Sequence, residues 1–289
     1  MEPEPALGRR AVLALGAVSV LTACGSRGPS SSVPVTSAAS AVPASTSGSV
    51  LPSFSPWRPH AGEEQLAAKT TAVRHVERLG NSAGHRLHVI DAQYGGLLSD
   101  SASVLVVCES WHAAAGRVVP DGHTFDVRLT RTTGGWVVAE VHPSTPGPAA
   151  SSQSGAARAV LAASRISLPP AARADVESGQ VHDSALEAML AVSKRWTIAI
   201  SVIRSGHPLN VFGTSRLSDH PRGRAFDTWA IDQVPVVASG APDPVVPAYM
   251  EALAGLGSYN VGGPVLLGAA PQFFSDQTHH DHVHAGFLT

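Results

Sequence analysis

Any fold open to this chain has to satisfy two chemically complementary segments that lie far apart in it. The first is Ser218-Asp219-His220-Pro221-Arg222-Gly223-Arg224-Ala225-Phe226-Asp227, and the second is Asp281-His282-Val283-His284. Each supplies ligand types that the other lacks. Two imidazoles and one carboxylate can hold a tetrahedral Zn²⁺ and leave its fourth position to water, which distinguishes catalytic sites from closed structural ones. His220, Asp227 and His284 are therefore the candidate metal ligands, and the fold must carry them to one point.

Local chemistry agrees with that convergence. Gly223 stands between His220 and Asp227, and glycine accepts a positive φ or a close backbone approach. The chain can thus leave a loop at His220 and enter a strand through Ala225, Phe226 and Asp227. In the second segment, His282 and His284 are two residues apart and project from the same face of an extended strand. One of them can bind metal while the other stands free beside it.

Together the two segments resemble the zinc peptidases of peptidoglycan, the group of D-alanyl-D-alanine carboxypeptidases and L-alanyl-D-glutamate endopeptidases. Ser218, His220, Gly223, Ala225 and Asp227 fill every fixed position of the signature S-x-H-x-x-G-x-A-x-D. Asp281 and His284 fill its downstream D-x-x-H, while His282 and His284 fill the variant H-x-H. The wider run, from Arg204-Ser205-Gly206-His207 through to His280 and Phe287, looks like a domain of many actinobacterial surface proteins. The resemblance covers about 158–289. The chain lacks the aromatic pair that precedes the last ligand in the best-known members, which leaves substrate choice open.

The resemblance implies a zinc-dependent hydrolysis of a peptide bond in peptidoglycan stem peptides, by D,D-carboxypeptidase or endopeptidase action. It also implies that Asp281 accepts the proton of the attacking water and later protonates the leaving amine. Regular strand alternation would turn Asp281 away from the face of His284, so this role requires a bend or bulge. On a regular strand, His282 is the better base. An arginine at the corresponding R-S position lies over the site in the family, which makes Arg204 a candidate for binding a carboxylate or the developing oxyanion through its planar fork. Ser218 joins Arg204 as a substrate-binding candidate.

The N-terminal end bears on location. Arg9 and Arg10 precede an apolar run from Ala11 to Leu21, followed by Leu21-Thr22-Ala23-Cys24, the layout of a secretory signal. The run is shorter than the roughly 20 residues that span a bilayer. Leu-Thr-Ala-Cys resembles the bacterial lipobox, which implies lipidation of Cys24 and anchoring on the outer face of the cytoplasmic membrane, facing the cell wall. Residues 25–59 are rich in Ser, Pro, Ala and Thr and read as a disordered tether.

The chain has 289 residues, 44% of them hydrophobic, enough for sizeable cores and two domains after the leader. A net charge of -2 with no basic stripe argues against a nucleic-acid partner. Of two cysteines, Cys24 is the lipidation candidate, so Cys108 has no partner, and no disulfide frames the fold. Cys108 lies in the apolar run 104–108 and reads as a buried, inert thiol.

A first unit is expected over 60–144. Glu63 to Leu79 carries apolar residues at helical spacing up to Gly80, and strand-like runs follow at 102–109, 124–130 and 136–141, on the usual period and turn signals. A helix followed by antiparallel strands, the last opening Gly-Gly-Trp, resembles the cone-like nuclear-transport-factor and ketosteroid-isomerase fold. It is expected to act as a docking or spacer module. Residues 145–157 read as a linker and 158–289 as the zinc-peptidase domain. There Ser184 and Glu187 have the form of a capping box, 197–203 reads as a central strand delivering Arg204, and 247–253 reads as a helix. The expected class is α+β, with a central antiparallel sheet flanked by helices. A reading of another class is a cell-wall binding or assembly lipoprotein whose zinc site is structural or degenerate.

Overall fold

The computed structural model describes residues 50–238 and 243–289, so Cys24, the leader and most of the expected tether lie outside the described residues. Helix α1 (Leu66–Gly80) is followed by strands β1 (His85–Leu97), β2 (Ser101–Ala114), β3 (Arg117–Asp121), β4 (Thr124–Thr132) and β5 (Gly135–Pro143). They form an antiparallel sheet in the order β1-β2-β4-β5, with β3 beside the far end of β2. Ala68, Ala72, Val73 and Val76 of α1 share one core with Val104, Val106 and Cys108 of β2. The alternate residues Leu105 and Val107 instead cluster with Ile90 and with Val202 of the second sheet. A strand covered on both faces reads as an unbroken apolar run, which is why 104–108 shows no polar alternation.

The second sheet is reached through α2 (Gly155–Ala162), β6 (Ile166–Ser167), α3 (Pro170–Glu177) and α4 (Asp183–Ser193). Its other members are β7 (Ile198–Val202), β8 (Ala225–Ile231), β9 (Val234–Pro235), β10 (Asn260–Gly262), β11 (Phe273–Phe274) and β12 (Val283–Gly286), with α5 (Val245–Gly255) before β10. The strand order is β11-β10-β12-β8-β7-β6, and β9 pairs with β8. Leu186 and Met189 of α4, Tyr249 and Met250 of α5, and Ile198, Ile200 and Phe226 of the sheet are buried in one cluster. Each such side chain contributes about 1.5–3 kcal/mol on leaving water.

The architecture is α+β, as expected, and several details differ. The second sheet is mixed, because β6 runs parallel to β7 and β10 parallel to β11. The first unit has five strands where three were expected, β1 and β3 being the additions. Helix α1 starts at Leu66 rather than Glu63, since Gln65 adopts a left-handed conformation with φ 42°. His182, not Ser184, caps α4, and its amide donates to Gly223 O at 2.8 Å. Asp183 takes the first helical position, where its charge suits the helix dipole. Ser184 Oγ has no hydrogen-bond partner among the described residues. Helix α2 begins inside the expected linker. The end of the expected tether lies on the first sheet, with the Phe54 ring stacked on both His88 and Trp111. The two expected domains belong to one compact unit, with a seam where Leu105 and Val107 meet Val202 and where Gln93 and Lys69 bond to Asp227 and Asp281. Among the described residues, no helix is long and apolar enough to cross a membrane.

Candidate metal centre

Strands β8 and β12 are antiparallel neighbours in which Asp227 stands directly opposite His284. His220 arrives from a tight turn closed by Gly223 N donating to His220 O at 2.8 Å and by Arg222 N and Arg224 N donating to Asp219 O. Gly223 has a φ of +69°, and a Cβ there would lie 2.0 Å from Gln180 O. Only glycine meets both conditions, so this turn requires it.

Three donor atoms meet as a result. His220 Nε2 lies 3.1 Å from His284 Nδ1 and 3.1 Å from Asp227 Oδ1, and His284 Nδ1 lies 3.0 Å from Asp227 Oδ1. Tetrahedral zinc with ligand bonds of about 2.0–2.1 Å requires ligand separations of about 3.3 Å. The triangle therefore fits that ion. His220 Nδ1 faces Ile203 O at 2.8 Å. That carbonyl fixes the ring's proton on Nδ1 and leaves the Nε2 lone pair free. The site is buried: His220 is 0% exposed, Asp227 1% and His284 7%.

A second imidazole stands alongside. His282 Nε2 lies 3.8 Å from Asp227 Oδ2, while its Nδ1 is 2.6 Å from Asp281 Oδ1. Asp281 Oδ2 is occupied in turn, 2.7 Å from Lys69 Nζ and accepting from Tyr94 N at 3.1 Å. Lys69 also pairs closely with Glu63. Glu63, His280 and Asp281 form a group able to hold a metal, but the Lys69 ammonium, bonded to two of its carboxylates, already supplies the cation.

Electrostatics follow from burial and these partners. Burial alone would raise Asp227, but His220 and His282 hold its carboxyl well below the usual carboxylate range. Burial, assisted by His220 and His279 and opposed by Asp227, brings His284 down to about 4. It is therefore neutral at pH 7, as a ligand must be. Burial would likewise raise Asp281, but Lys69 and then His282 keep it below its ordinary value. His282 is raised: burial opposes its charge, and Asp227 and Asp281 outweigh burial.

A cleft of about 650 Å³ opens beside the triangle, with His284, Ser218, Asp219, Phe274 and His279 on one part of its wall and Gly95 to Leu98 of the β1 end on another. Ser218 is at this cleft, and its Oγ accepts from His220 N at 3.3 Å. His207 also lines it, stacked on His220 with ring centroids 4.1 Å apart and Nδ1 facing Pro208 O. His207, His220 and Asp227 form a second set able to hold a metal, sharing His220 and Asp227 with the set completed by His284.

Arg204 is not brought to the cleft. Its guanidinium engages Gln180 Oε1, Pro146 O (3.3 Å) and Asp175 Oδ1 (3.6 Å), and the Arg204 and Ser205 amides donate to Asp175 Oδ2. That network anchors the end of β7 to α3. The sequence reading missed Gln93, whose Nε2 donates to Asp227 Oδ2 at 2.6 Å, and the whole Lys69 group. The alternation of Asp91 and Gln93 with Ala92 and Tyr94 was the available signal, and it suggests a solvent-facing polar side where the structure has the seam. No protein-family model, curated protein or solved structure matches the chain.

Proposed function

We propose that this protein is a zinc-dependent peptidase that hydrolyses a peptide bond in peptidoglycan stem peptides, exported and anchored to the membrane through a lipidated Cys24. The observation that carries this reading is the triangle of His220 Nε2, Asp227 Oδ1 and His284 Nδ1, with sides of 3.0–3.1 Å, beside an open cleft. A zinc ion held there supplies Lewis acidity that polarises a carbonyl and acidifies a water.

The chain's own groups divide the remaining work. His282 is the base: its Nε2 points toward Asp227, and Asp281 holds the Nδ1 proton at 2.6 Å. In the neutral ring Nε2 would carry the lone pair, and the two carboxylates that raise His282 favour its taking a proton from water there and returning it to the leaving amine. Asp281 orients that imidazole rather than acting as base, because Lys69 and the Tyr94 amide occupy its other oxygen. The cleft has Phe274 on one side and the Gly95–Leu98 backbone on another. Such walls give an extended peptide both apolar and main-chain contacts.

Mass spectrometry of purified muropeptides incubated with the protein, with and without chelator, tests this reading. Loss of one or more residues, or opening of a cross-link, is expected only without chelator, and unchanged masses in both arms overturn it. A second reading, a cell-wall binding lipoprotein with a structural zinc site, draws on His207, whose reach to His220 and Asp227 would let it close the coordination. It requires zinc retention that depends on His207 and no cleavage of any muropeptide.

A further inference from the structure

Gln93 is 0% exposed and belongs to β1, in the unit expected to be a spacer, yet its amide touches the candidate metal centre. Nε2 donates to Asp227 Oδ2 at 2.6 Å. Oε1 accepts from the Ser201 hydroxyl, which also lies 3.2 Å from Asp227 O. The amide's orientation is dictated by chemistry: a carboxylate only accepts, so NH₂ must face Asp227 and the carbonyl must face the hydroxyl. In β1, Gln93 pairs with Leu105, the residue of β2 that clusters with Val202 on the seam, so strand register aims the side chain at the second sheet.

We propose that Gln93 is a positioning residue for the metal centre, so that the first unit is a working part of the site. This rests on the metal-binding reading above. By engaging Oδ2, Gln93 leaves Oδ1 as the single carboxylate oxygen facing His220 and His284, and it fixes the carboxylate plane. Ser201 in turn prevents the amide from flipping. Carboxylate ligands held by outer hydrogen bonds typically lose about 10–100-fold in metal affinity when the bond is removed. The charge of Asp227 remains in either case, so the loss reports geometry.

The test uses the full chain, with zinc affinity measured by competition against a chromophoric chelator and coordination geometry read from the visible spectrum of the Co²⁺-substituted protein. Gln93→Met keeps the length of the side chain and removes the amide. Its zinc Kd is expected to rise about 10–100-fold, with a changed Co²⁺ spectrum and an unchanged near-UV circular dichroism. Ser201→Ala, a smaller change that guards against misfolding of the first variant, is expected to weaken zinc several-fold in the same direction. Zinc affinity within twofold of wild type and an unaltered Co²⁺ spectrum in either folded variant overturn the proposal while leaving the metal centre intact. A wild-type chain that takes up no zinc overturns the metal reading itself.

Discussion

The Lys69 ammonium lies 2.7 Å from Asp281 Oδ2, with side-chain exposures of 0% and 2%. This pair joins the helix of the first unit to the residue that orients His282. The chain has only two lysines, Lys69 and Lys194, and one of them is buried here. Burial works against the Lys69 charge, but Asp281 and Glu63 outweigh it and raise the pKa above the ordinary value. Removing one member of a buried ion group leaves the others uncompensated, at about 3–5 kcal/mol. Lys69→Met is therefore expected to lose that much in urea unfolding, and the double variant with Asp281→Asn should recover part of it. A loss below about 1 kcal/mol, the scale of an exposed pair, would contradict the arrangement.

His282 and Asp281 separate kinetically. His282→Gln is expected to lower kcat by about 10²–10⁴ with KM and zinc content little changed, as removal of a base does. Steady-state assays on a stem peptide check this. If His282→Gln keeps more than a tenth of wild-type kcat, then His282 is not the base and Asp281 regains that role.

Gly223 sets the turn that carries His220. Gly223→Ala would put a Cβ 2.0 Å from Gln180 O at a φ of +69°. The strain and overlap are expected to cost about 2 kcal/mol or more and to weaken zinc binding as His220 shifts. Thermal unfolding with and without zinc measures both, and a variant equal to wild type in each would remove the turn from the account.

Asp91 supplies a pH dependence away from the metal ligands. It is 5% exposed, and its Oδ2 has no hydrogen-bond partner among the described residues. Burial raises its carboxyl from 3.8 to about 7, opposed by Lys69 and assisted by Asp281 and Glu63. A carboxyl with a raised folded pKa is favoured in its neutral form. Its contribution is thus complete below pH 3.8, is lost as pH rises toward 7, and is level above that. Asp91→Asn does not titrate, so its Tm minus that of wild type should grow more positive from about pH 5 to about pH 8. A difference that stays flat or falls would contradict this.

The meeting of His220, Asp227 and His284 was legible because its parts follow local rules. Gly223 announces the turn, and period-two spacing puts His282 and His284 on one side of the chain. The strand at 198–202 and the helix around 247–253 were legible for similar reasons. What escaped belongs to the seam. Gln93 and Lys69 are polar residues that local pattern assigns to solvent, and only the packing of one sheet on the other buries them. Arg204 shows the reverse case: its position after β7 was foreseen, but the acceptors that claim it, Asp175, Gln180 and Pro146, lie in segments whose approach no local pattern encodes. The same holds for Asp281, one of whose oxygens is claimed by a lysine in a distant helix.

The most direct test is the zinc content of the purified full chain and of its single variants, by mass spectrometry of the metal. About one zinc per wild-type chain is expected, falling to a small fraction in His220→Ala, Asp227→Ala and His284→Ala and retained in His207→Ala. A wild-type chain that cannot be loaded with zinc, or full occupancy in all three ligand variants, would contradict the account.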